Sequence, residues 1–213
     1  IKFFYNKKIC SDRILRTKNL SGLVPDLISS SENFYKYKFV KADLLADTVN
    51  ITQFINLLQW ADKKLWIPKE DKSKPTGFHG DFILDNILIN DEGFTLIDWR
   101  QDFNGSIDAG DMNYDIAKLN HNLTLNHQVL SDNLFTINSK DEITCDVYVK
   151  KSHLDCKEYL KTYCGFRGIS YDDIQILTSL IWINMSPLHE HPLDMFLYYF
   201  GKTKGGKWTE EDI

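Results

Sequence analysis

The chain has 213 residues, of which 43% are hydrophobic, 13% aromatic and 26% charged, and its formal net charge is −5. These values are typical of a soluble globular protein and exclude a disordered, collagen-like or coiled-coil chain. The length suits one large domain or two small lobes. The acidic balance argues against binding to nucleic acid or anionic lipid by charge alone. The longest apolar run, residues 176–185, is too short and too polar to span a bilayer.

Four cysteines are scattered along the chain, and they form neither a C-x-x-C pair nor a zinc-like spacing. Such cysteines are typical of reduced thiols in a reducing compartment, so we expect a cytoplasmic protein without membrane insertion. The N-terminus has no initiator Met and no signal-peptide pattern. This favours a piece of a longer polypeptide with a possible upstream segment.

The first third of the chain predicts two short strands between two helices. Residues 2–20 have helix-compatible spacing, which a Ser-Gly pair and then a Pro bring to an end. Residues 27–28 and 34–40 predict strands around a polar turn, and the second segment alternates with period 2. Residues 52–66 predict an amphipathic helix because their apolar residues recur every three or four positions.

A charged loop at residues 68–75 leads into a predicted β-hairpin. Two apolar runs, residues 86–90 and 94–98, are joined by Asp-Glu-Gly, whose glycine supplies the positive φ of a tight turn. After Gly105 the pattern becomes helical to the end. The predicted helices lie near residues 111–123, 151–164 and 172–185, and residues 138–145 are the only later stretch that could form a strand.

Three oxygen-bearing side chains flank this hairpin. Asp81 precedes the first strand, Asn86 opens it and Asp98 closes the second strand. Folding the hairpin brings its two ends together, so we expect Asn86 and Asp98 side by side with Asp81 on the adjacent loop. An amide and a carboxylate suit Mg²⁺, and a further carboxylate can accept a proton from an attacking hydroxyl. This arrangement is typical of phosphoryl transfer.

The segment His-Gly-Asp-Phe-Ile-Leu-Asp-Asn at 79–86, followed by Leu-Ile-Asp-Trp at 96–99, resembles the catalytic core of the aminoglycoside phosphotransferase and choline kinase superfamily. The five-residue spacing from Asp81 to Asn86 is that of the kinase catalytic loop. Residues 110–117 also resemble the superfamily's Gly-Asp…Asp-Leu-Ala segment. The resemblance covers nearly all of the chain.

A narrower resemblance concerns three segments, residues 97–103, 114–119 and 188–192. They are similar to a subgroup associated with bacterial capsule and surface-polysaccharide genes. The wider resemblance implies an α+β, protein-kinase-like fold. Residues 1–41 would be a remnant of the N-lobe with a helix, its last strands and the hinge. Residues 42–213 would be a mainly α-helical C-lobe that carries the catalytic β-hairpin.

The resemblance implies a role for each matching residue. Asp81 would be the base that orients the acceptor hydroxyl, and His79 would hold the catalytic loop. Asn86 and Asp98 would bind Mg²⁺. The ATP site would be formed by Tyr37, Phe39, Val40, Leu88 and Ile97, with the strand backbone meeting the edge of adenine and the last two side chains under it.

Two acidic residues, Asp111 and Asp115, would start a helix and brace the catalytic loop from behind. The sequence also departs from the superfamily. Asp85 stands where a glycine is usual, and it is either a solvated loop residue or a ligand. The Gly-rich phosphate loop, the strand Lys and the helix Glu that pairs with it are not recognisable, so part of the N-lobe would be missing.

The implied function is transfer of the γ-phosphoryl group of ATP to a hydroxyl of a small molecule such as a sugar, a sugar alcohol or an amino alcohol. A truncated or pseudokinase-like module that binds nucleotide without turnover is the alternative. A metal-dependent hydrolase is a weaker rival, because two-metal sites need more carboxylate and His ligands. His189 and His191 either pack or line a substrate pocket, or bind a metal. The aromatic residues of 196–200 form either a core or a cage for a quaternary ammonium.

Overall fold

The computed structural model describes residues 1–69, 75–138 and 143–204. These residues form eight α-helices and three small antiparallel sheets. The predicted α+β class is therefore confirmed, whereas the kinase-like fold stays a prediction. The chain separates into two compact units, Ile1–Asp115 and Ile116–Ile213. This division differs from the predicted lobes 1–41 and 42–213, and it falls within helix α4 (Met112–Asn122).

The first unit holds two three-stranded sheets and three helices before α4. Its elements are β1 (Lys2–Phe3), α1 (Lys7–Asn19), β2 (Leu27–Ser30), β3 (Phe34–Tyr37), β4 (Asp43–Leu44), α2 (Leu45–Thr48), α3 (Ile51–Lys64), a 3₁₀ turn (Leu84–Asn86), β5 (Ile87–Asn90) and β6 (Gly93–Leu96). The strand orders are β1-β3-β2 and β4-β5-β6, with every pair antiparallel.

The alternation predicted for the second strand is present in β3. Tyr35 is fully buried, whereas its neighbours Phe34 and Lys36 are exposed. The Tyr35 ring stacks on Phe4 and on Trp99, at centroid distances of 5.4 and 5.7 Å. Stacked aromatic rings of this kind stabilise a core beyond their buried area. The first sheet is therefore joined through Tyr35 to the segment that follows the hairpin.

Helix α3 confirms the predicted amphipathic helix. Asn50 caps it, because its side chain accepts from Gln53 N–H while the Gln53 side chain accepts from Asn50 N–H. This capping box satisfies two backbone donors that a helix N-terminus leaves without partners. The buried face consists of Phe54, Leu57, Leu58 and Ala61.

The predicted hairpin is confirmed as β5–β6. Ile87 pairs with Leu96 and Asn90 pairs with Gly93, so the loop contains two residues. Gly93 has φ 120°, a conformation that side chains with a Cβ rarely adopt. Residues 70–74 of the predicted charged loop lie outside the described residues, and Pro68 bridges Thr76 on either side of them.

The second unit is a helical body with one further hairpin. After α4 come α5 (His127–Ser131), β7 (Phe135–Asn138), β8 (Thr144–Val147), α6 (Lys151–Arg167), α7 (Tyr171–Met185), a 3₁₀ turn (Ser186–Leu188) and α8 (Leu193–Lys204). Its core comprises Leu125, Val129, Phe135, Trp182, Phe196, Leu197 and Phe200. The prediction of helices after Gly105 is confirmed for α4, α6 and α7.

Two expectations for this unit were wrong in detail. The strand expected at residues 138–145 is instead a pair of strands, β7 and β8, on either side of that stretch, and residues 139–142 lie outside the described residues. Helix α8 agrees with the helical pattern predicted to the end of the chain, but its own bounds were not predicted, because its aromatic run suggested only a cluster. Phe196 and Phe200 lie one turn apart on it and are buried, whereas Tyr198 is exposed on another face. The core interpretation is therefore confirmed for the two phenylalanines.

All four cysteines are free thiols, and Cys10, Cys156 and Cys164 are buried. Across the described ranges, no helix combines the length and the apolarity that a bilayer crossing requires.

Candidate functional site

The hairpin brings the predicted site residues to one end of the first unit. Asn86 lies in the 3₁₀ turn just before β5, and Asp98 follows β6 by two residues. The two strand ends are joined because Ile97 N–H donates to Asn86 O at 2.9 Å. The Asn86 side-chain amide donates to Asp81, to its carbonyl at 3.0 Å and to its carboxylate at 3.4 Å. The structure thus shows Asp81 in contact with Asn86, and Asp98 directly after the residue whose N–H is bonded to Asn86.

The backbone at Asp98 is strained. Its φ is 60°, in the left-handed region that residues other than glycine adopt at a cost. Unfavourable backbone conformations of this type cluster at functional sites, where surrounding contacts hold them. The two residues that follow Asp98 are held in place, because the Trp99 ring is fully buried and Arg100 N–H donates to His79 O at 3.1 Å.

Asp115 anchors the segment 79–86, called here the site loop, from below. One carboxylate oxygen accepts from Gly80 N–H at 2.7 Å, and the other accepts from His79 N–H at 2.7 Å and from Trp66 Nε1–H at 3.1 Å. The carboxylate is fully buried, and burial raises its pKa to about 6 in spite of these three donors. The bracing role that the resemblance implies for Asp115 fits this geometry.

His79 is a neutral, fully buried residue that connects the site loop to the end of β6. Its Nε2–H donates to Ile97 O at 3.0 Å, and its Nδ1 accepts from Asp81 N–H at 3.2 Å. Burial lowers its pKa to about 4, so the imidazole is uncharged at neutral pH. With one ring nitrogen on each side, His79 holds the backbone of Asp81 to the strand end that precedes Asp98.

Arg16 of α1 holds the same region from the other side. Its guanidinium donates to the carbonyls of Phe78, His79 and Arg100. It also lies 3.8 Å from the centroid of the Phe78 ring, within the range of a cation–π contact. The side chain is 1% exposed, and burial lowers its pKa to about 10, which leaves it charged at neutral pH. One side chain therefore contacts three carbonyls around the site, of which His79 O also accepts from Arg100 N–H.

Two cations neutralise Asp98. Lys2 Nζ of β1 lies 2.6 Å from one carboxylate oxygen, and Arg13 Nη1 of α1 lies 3.2 Å from the other. Partial burial raises the pKa of Asp98, but these two cations outweigh burial and the pKa is lowered overall. The absence of the superfamily's strand lysine, which the resemblance implied, stays a prediction; Lys2, on the short strand β1, contacts the predicted metal ligand.

Asp81 also faces a cation. Arg100 Nη2 lies 3.5 Å from Asp81 Oδ2, and the Arg100 side chain is about half exposed. The stem of Arg100 passes directly over Gly80, where an added Cβ would lie 2.7 Å from Arg100 Cβ. Gly80 also has φ 88°, so both space and backbone conformation require glycine in the His-Gly-Asp motif.

Of the residues predicted for the nucleotide site, two lie in strands of different sheets and three follow a strand. Leu88 of β5 pairs with Leu44 of β4, and Ile97 follows β6 directly. Tyr37 ends β3 and packs on Trp99 at 6.4 Å. Phe39 is 86% exposed and Val40 is half-buried. The structure thus brings Leu88 and Ile97 beside the site loop, whereas the Phe39 side chain is exposed and is not part of a core.

The remaining candidate residues are Asp111, Asp85, His189 and His191. Asp111 accepts from Asn113 N–H at 2.8 Å at the start of α4, which is the capping role weighed for it. Asp85 lies half-buried in the 3₁₀ turn. His191 is exposed and lies 3.5 Å from Asp194, and His189 is half-buried. In the described part of the chain, no group of three or more His, Cys, Asp and Glu residues could hold a metal ion.

Sequence reasoning missed the cations of the site. Lys2, Arg13 and Arg16 lie on elements that carry no motif, and only their three-residue spacing on α1 hints that Arg13 and Arg16 share a face. Charge pairing across more than sixty residues leaves no local signal.

Comparison with known protein families, with curated proteins and with solved structures found no significant match to this chain.

Proposed function

We propose that the chain is an ATP- and Mg²⁺-dependent phosphotransferase with a protein-kinase-like fold that phosphorylates a hydroxyl of a small molecule. The observation that carries the proposal is the convergence of Asp81, Asn86 and Asp98 at the open end of the β5–β6 hairpin. The motif resemblance of the site loop supports it independently. A sugar, a sugar alcohol or an amino alcohol is the proposed acceptor class, with surface-polysaccharide biosynthesis as the setting.

The donor set fits magnesium. The Asn86 side-chain NH₂ is directed to Asp81, which leaves its Oδ1 as the oxygen that can bind the metal, and Asp98 supplies a carboxylate. Mg²⁺ binds through one or two protein groups and completes its shell with water and substrate phosphates. When bound there, the ion would neutralise charge on the phosphates. It would take the place of Lys2 or Arg13 on Asp98.

In this proposal Asp81 orients the acceptor hydroxyl and accepts its proton. The acceptor oxygen forms a bond to the γ-phosphorus, the bond from that phosphorus to the bridging oxygen breaks, and ADP leaves with the electron pair. Lys2, close to Asp98, is placed to hold phosphate oxygens. Arg16, His79 and Asp115 keep the loop in place without touching substrate.

The compartment proposed is the cytoplasm, where ATP is abundant and free thiols persist. The four cysteines of this chain are all free, which supports that setting.

The test compares three variants of the full chain. Asp81→Ala should lower turnover at least ~10²-fold, as expected when a positioned base is removed, and leave the Kd for Mg·ATP within a few-fold. Asp98→Ala should instead weaken Mg·ATP binding. Asp91→Asn, at the exposed turn of the same hairpin, is the matched control and should change neither quantity. Binding is measured by calorimetry and turnover as ADP release with a panel of hydroxyl acceptors.

Two results would redirect the interpretation. Full activity of both Asp81→Ala and Asp98→Ala would show that the site assignment is wrong. Binding of Mg·ATP without ADP release, unchanged in Asp81→Asn, would favour the non-catalytic nucleotide-binding alternative. Release of phosphate from a phosphoester without nucleotide would instead favour a hydrolase.

A further inference from the structure

The second unit contains a cavity of about 400 Å³ that has no part in the proposed phosphotransfer. It lies where the β7–β8 hairpin meets helices α6, α7 and α8. Its lining residues include the apolar Val147, Trp182 and Phe200, and each of the two aromatic residues leaves about 2% of its surface exposed. The lining also includes polar groups. A cavity that combines apolar and aromatic side chains with a few polar groups is the usual form of a small-molecule site.

Lys157 of α6 supplies an ammonium group to the lining of the cavity. Its Nζ donates to Thr124 Oγ1 at 2.8 Å, and both residues line the cavity. Within the described ranges, no carboxylate lies within ion-pair distance of this ammonium. Burial lowers the pKa of Lys157, and Lys204 lowers it further. A half-buried lysine whose partner is a neutral hydroxyl is costly to the fold, so its presence needs a reason beyond stability.

A second lysine lines the same cavity. Lys204 lies at the end of α8, and its Nζ is 5.5 Å from the centroid of the Phe200 ring. Among the described residues that line the cavity, Asp146 of β8 is the one carboxylate. Two ammonium groups and one carboxylate give these lining residues an excess of positive charge beside Trp182 and Phe200. This combination complements a ligand with one anionic head and an apolar body.

We propose that this cavity binds a small organic monoanion, with the anionic head on Lys157 and the apolar body against Trp182 and Phe200. Thr124 orients the Lys157 ammonium toward the cavity, and Lys204 adds to the attraction from the rim. The proposal does not depend on the phosphotransferase function, because every residue in it belongs to the second unit.

The test uses hexanoate as the probe, with acetate and hexylamine as comparisons, titrated into the full chain by calorimetry. Hexanoate should bind at one site, and acetate should bind more weakly, by up to about fourfold for each methylene that no longer contacts the apolar lining residues. Hexylamine, which has the same body and the opposite charge, should not bind. Bound hexanoate should also slow alkylation of Cys145, a lining residue, by iodoacetamide.

Three variants test whether hexanoate binding depends on the Lys157 ammonium. Lys157→Met should weaken hexanoate binding about 10- to 100-fold, the value of a hydrogen bond between charged groups. Lys204→Met, at an exposed position, should weaken hexanoate binding by a smaller factor. Lys161→Met is the matched control, since Lys161 lies one turn further along α6 and is exposed. It should leave binding unchanged.

Three results would overturn the proposal. The first is the absence of hexanoate binding to the unmodified chain. The second is equal binding of hexanoate and hexylamine. The third is a Lys157→Met variant that is folded by circular dichroism and binds hexanoate as well as Lys161→Met does.

Discussion

Replacing Arg16 with Met should destabilise the first unit by about 3 kcal/mol. The substitution removes one buried guanidinium and leaves two carbonyls, those of Phe78 and Arg100, without their donor, whereas His79 O keeps Arg100 N–H. An unsatisfied buried acceptor costs about 1–3 kcal/mol, and the lost contact with the Phe78 ring adds about 1–2 kcal/mol. Removing the Arg16 charge also removes the free-energy cost of burying it, which is several kcal/mol and offsets part of this loss. The expected net destabilisation is therefore about 3 kcal/mol.

The measurement is equilibrium unfolding in urea at pH 7.5, with the free energy of unfolding extrapolated from the linear region. Arg16→Lys keeps a charge but has one compact donor group in place of a planar fork, so its loss should be smaller than that of Arg16→Met. Lys18→Met, on the exposed side of the same helix, should stay within about 0.5 kcal/mol of the unmodified chain. A loss below about 1 kcal/mol for Arg16→Met would refute the inference that Arg16 holds the site loop.

Two further predictions concern backbone space and pH. Gly165→Ala in α6 should stabilise the second unit by about 0.5–1 kcal/mol, because nothing lies within 4 Å of the added methyl. Gly201→Ala in α8 should destabilise it by about 1–3 kcal/mol, because the methyl would lie 2.7 Å from Ile183 Cγ1. The two substitutions should therefore shift the thermal unfolding temperature in opposite directions, and shifts of the same sign would contradict the reasoning. Since burial holds the pKa of His79 near 4, only the unfolded chain takes up its proton between pH 6.5 and about 4, and stability should fall by up to roughly 3 kcal/mol as pH falls through this window. Asp115, whose pKa is raised to about 6, has the opposite effect on stability in the same pH range. The measurement is therefore the difference in the free energy of unfolding between the unmodified chain and His79→Gln at each pH. A difference that does not change with pH would contradict the buried, neutral state of His79.

The parts of the structure that local patterns determine could be predicted from the sequence. The hairpin followed from two apolar runs and a turn glycine, and the juxtaposition of Asn86 with Asp98 followed from the hairpin. Helix α3 followed from its apolar spacing. These features depend on residues close together in the chain, where spacing and turn chemistry act directly.

The contacts that complete the site could not be predicted in this way. Lys2 reaches Asp98 across 96 positions, and Arg16 reaches His79 across 63. Neither cation belongs to a motif, and nothing in the local sequence separates the buried Arg16 from the exposed lysines of the same helix. The bounds of helix α8 were missed for a related reason, because its aromatic residues serve a core formed by distant segments.

The long separations between the partners of the site also determine when it can form. Closing large loops costs entropy before the contact compensates, so native pairs distant in sequence form late and slow the folding of the domain. During synthesis at about 5–20 residues per second, the 35 positions between Gly80 and Asp115 take roughly 2–7 seconds to emerge. For that interval the nascent site loop has no carboxylate beneath it, and its apolar hairpin is available to chaperones.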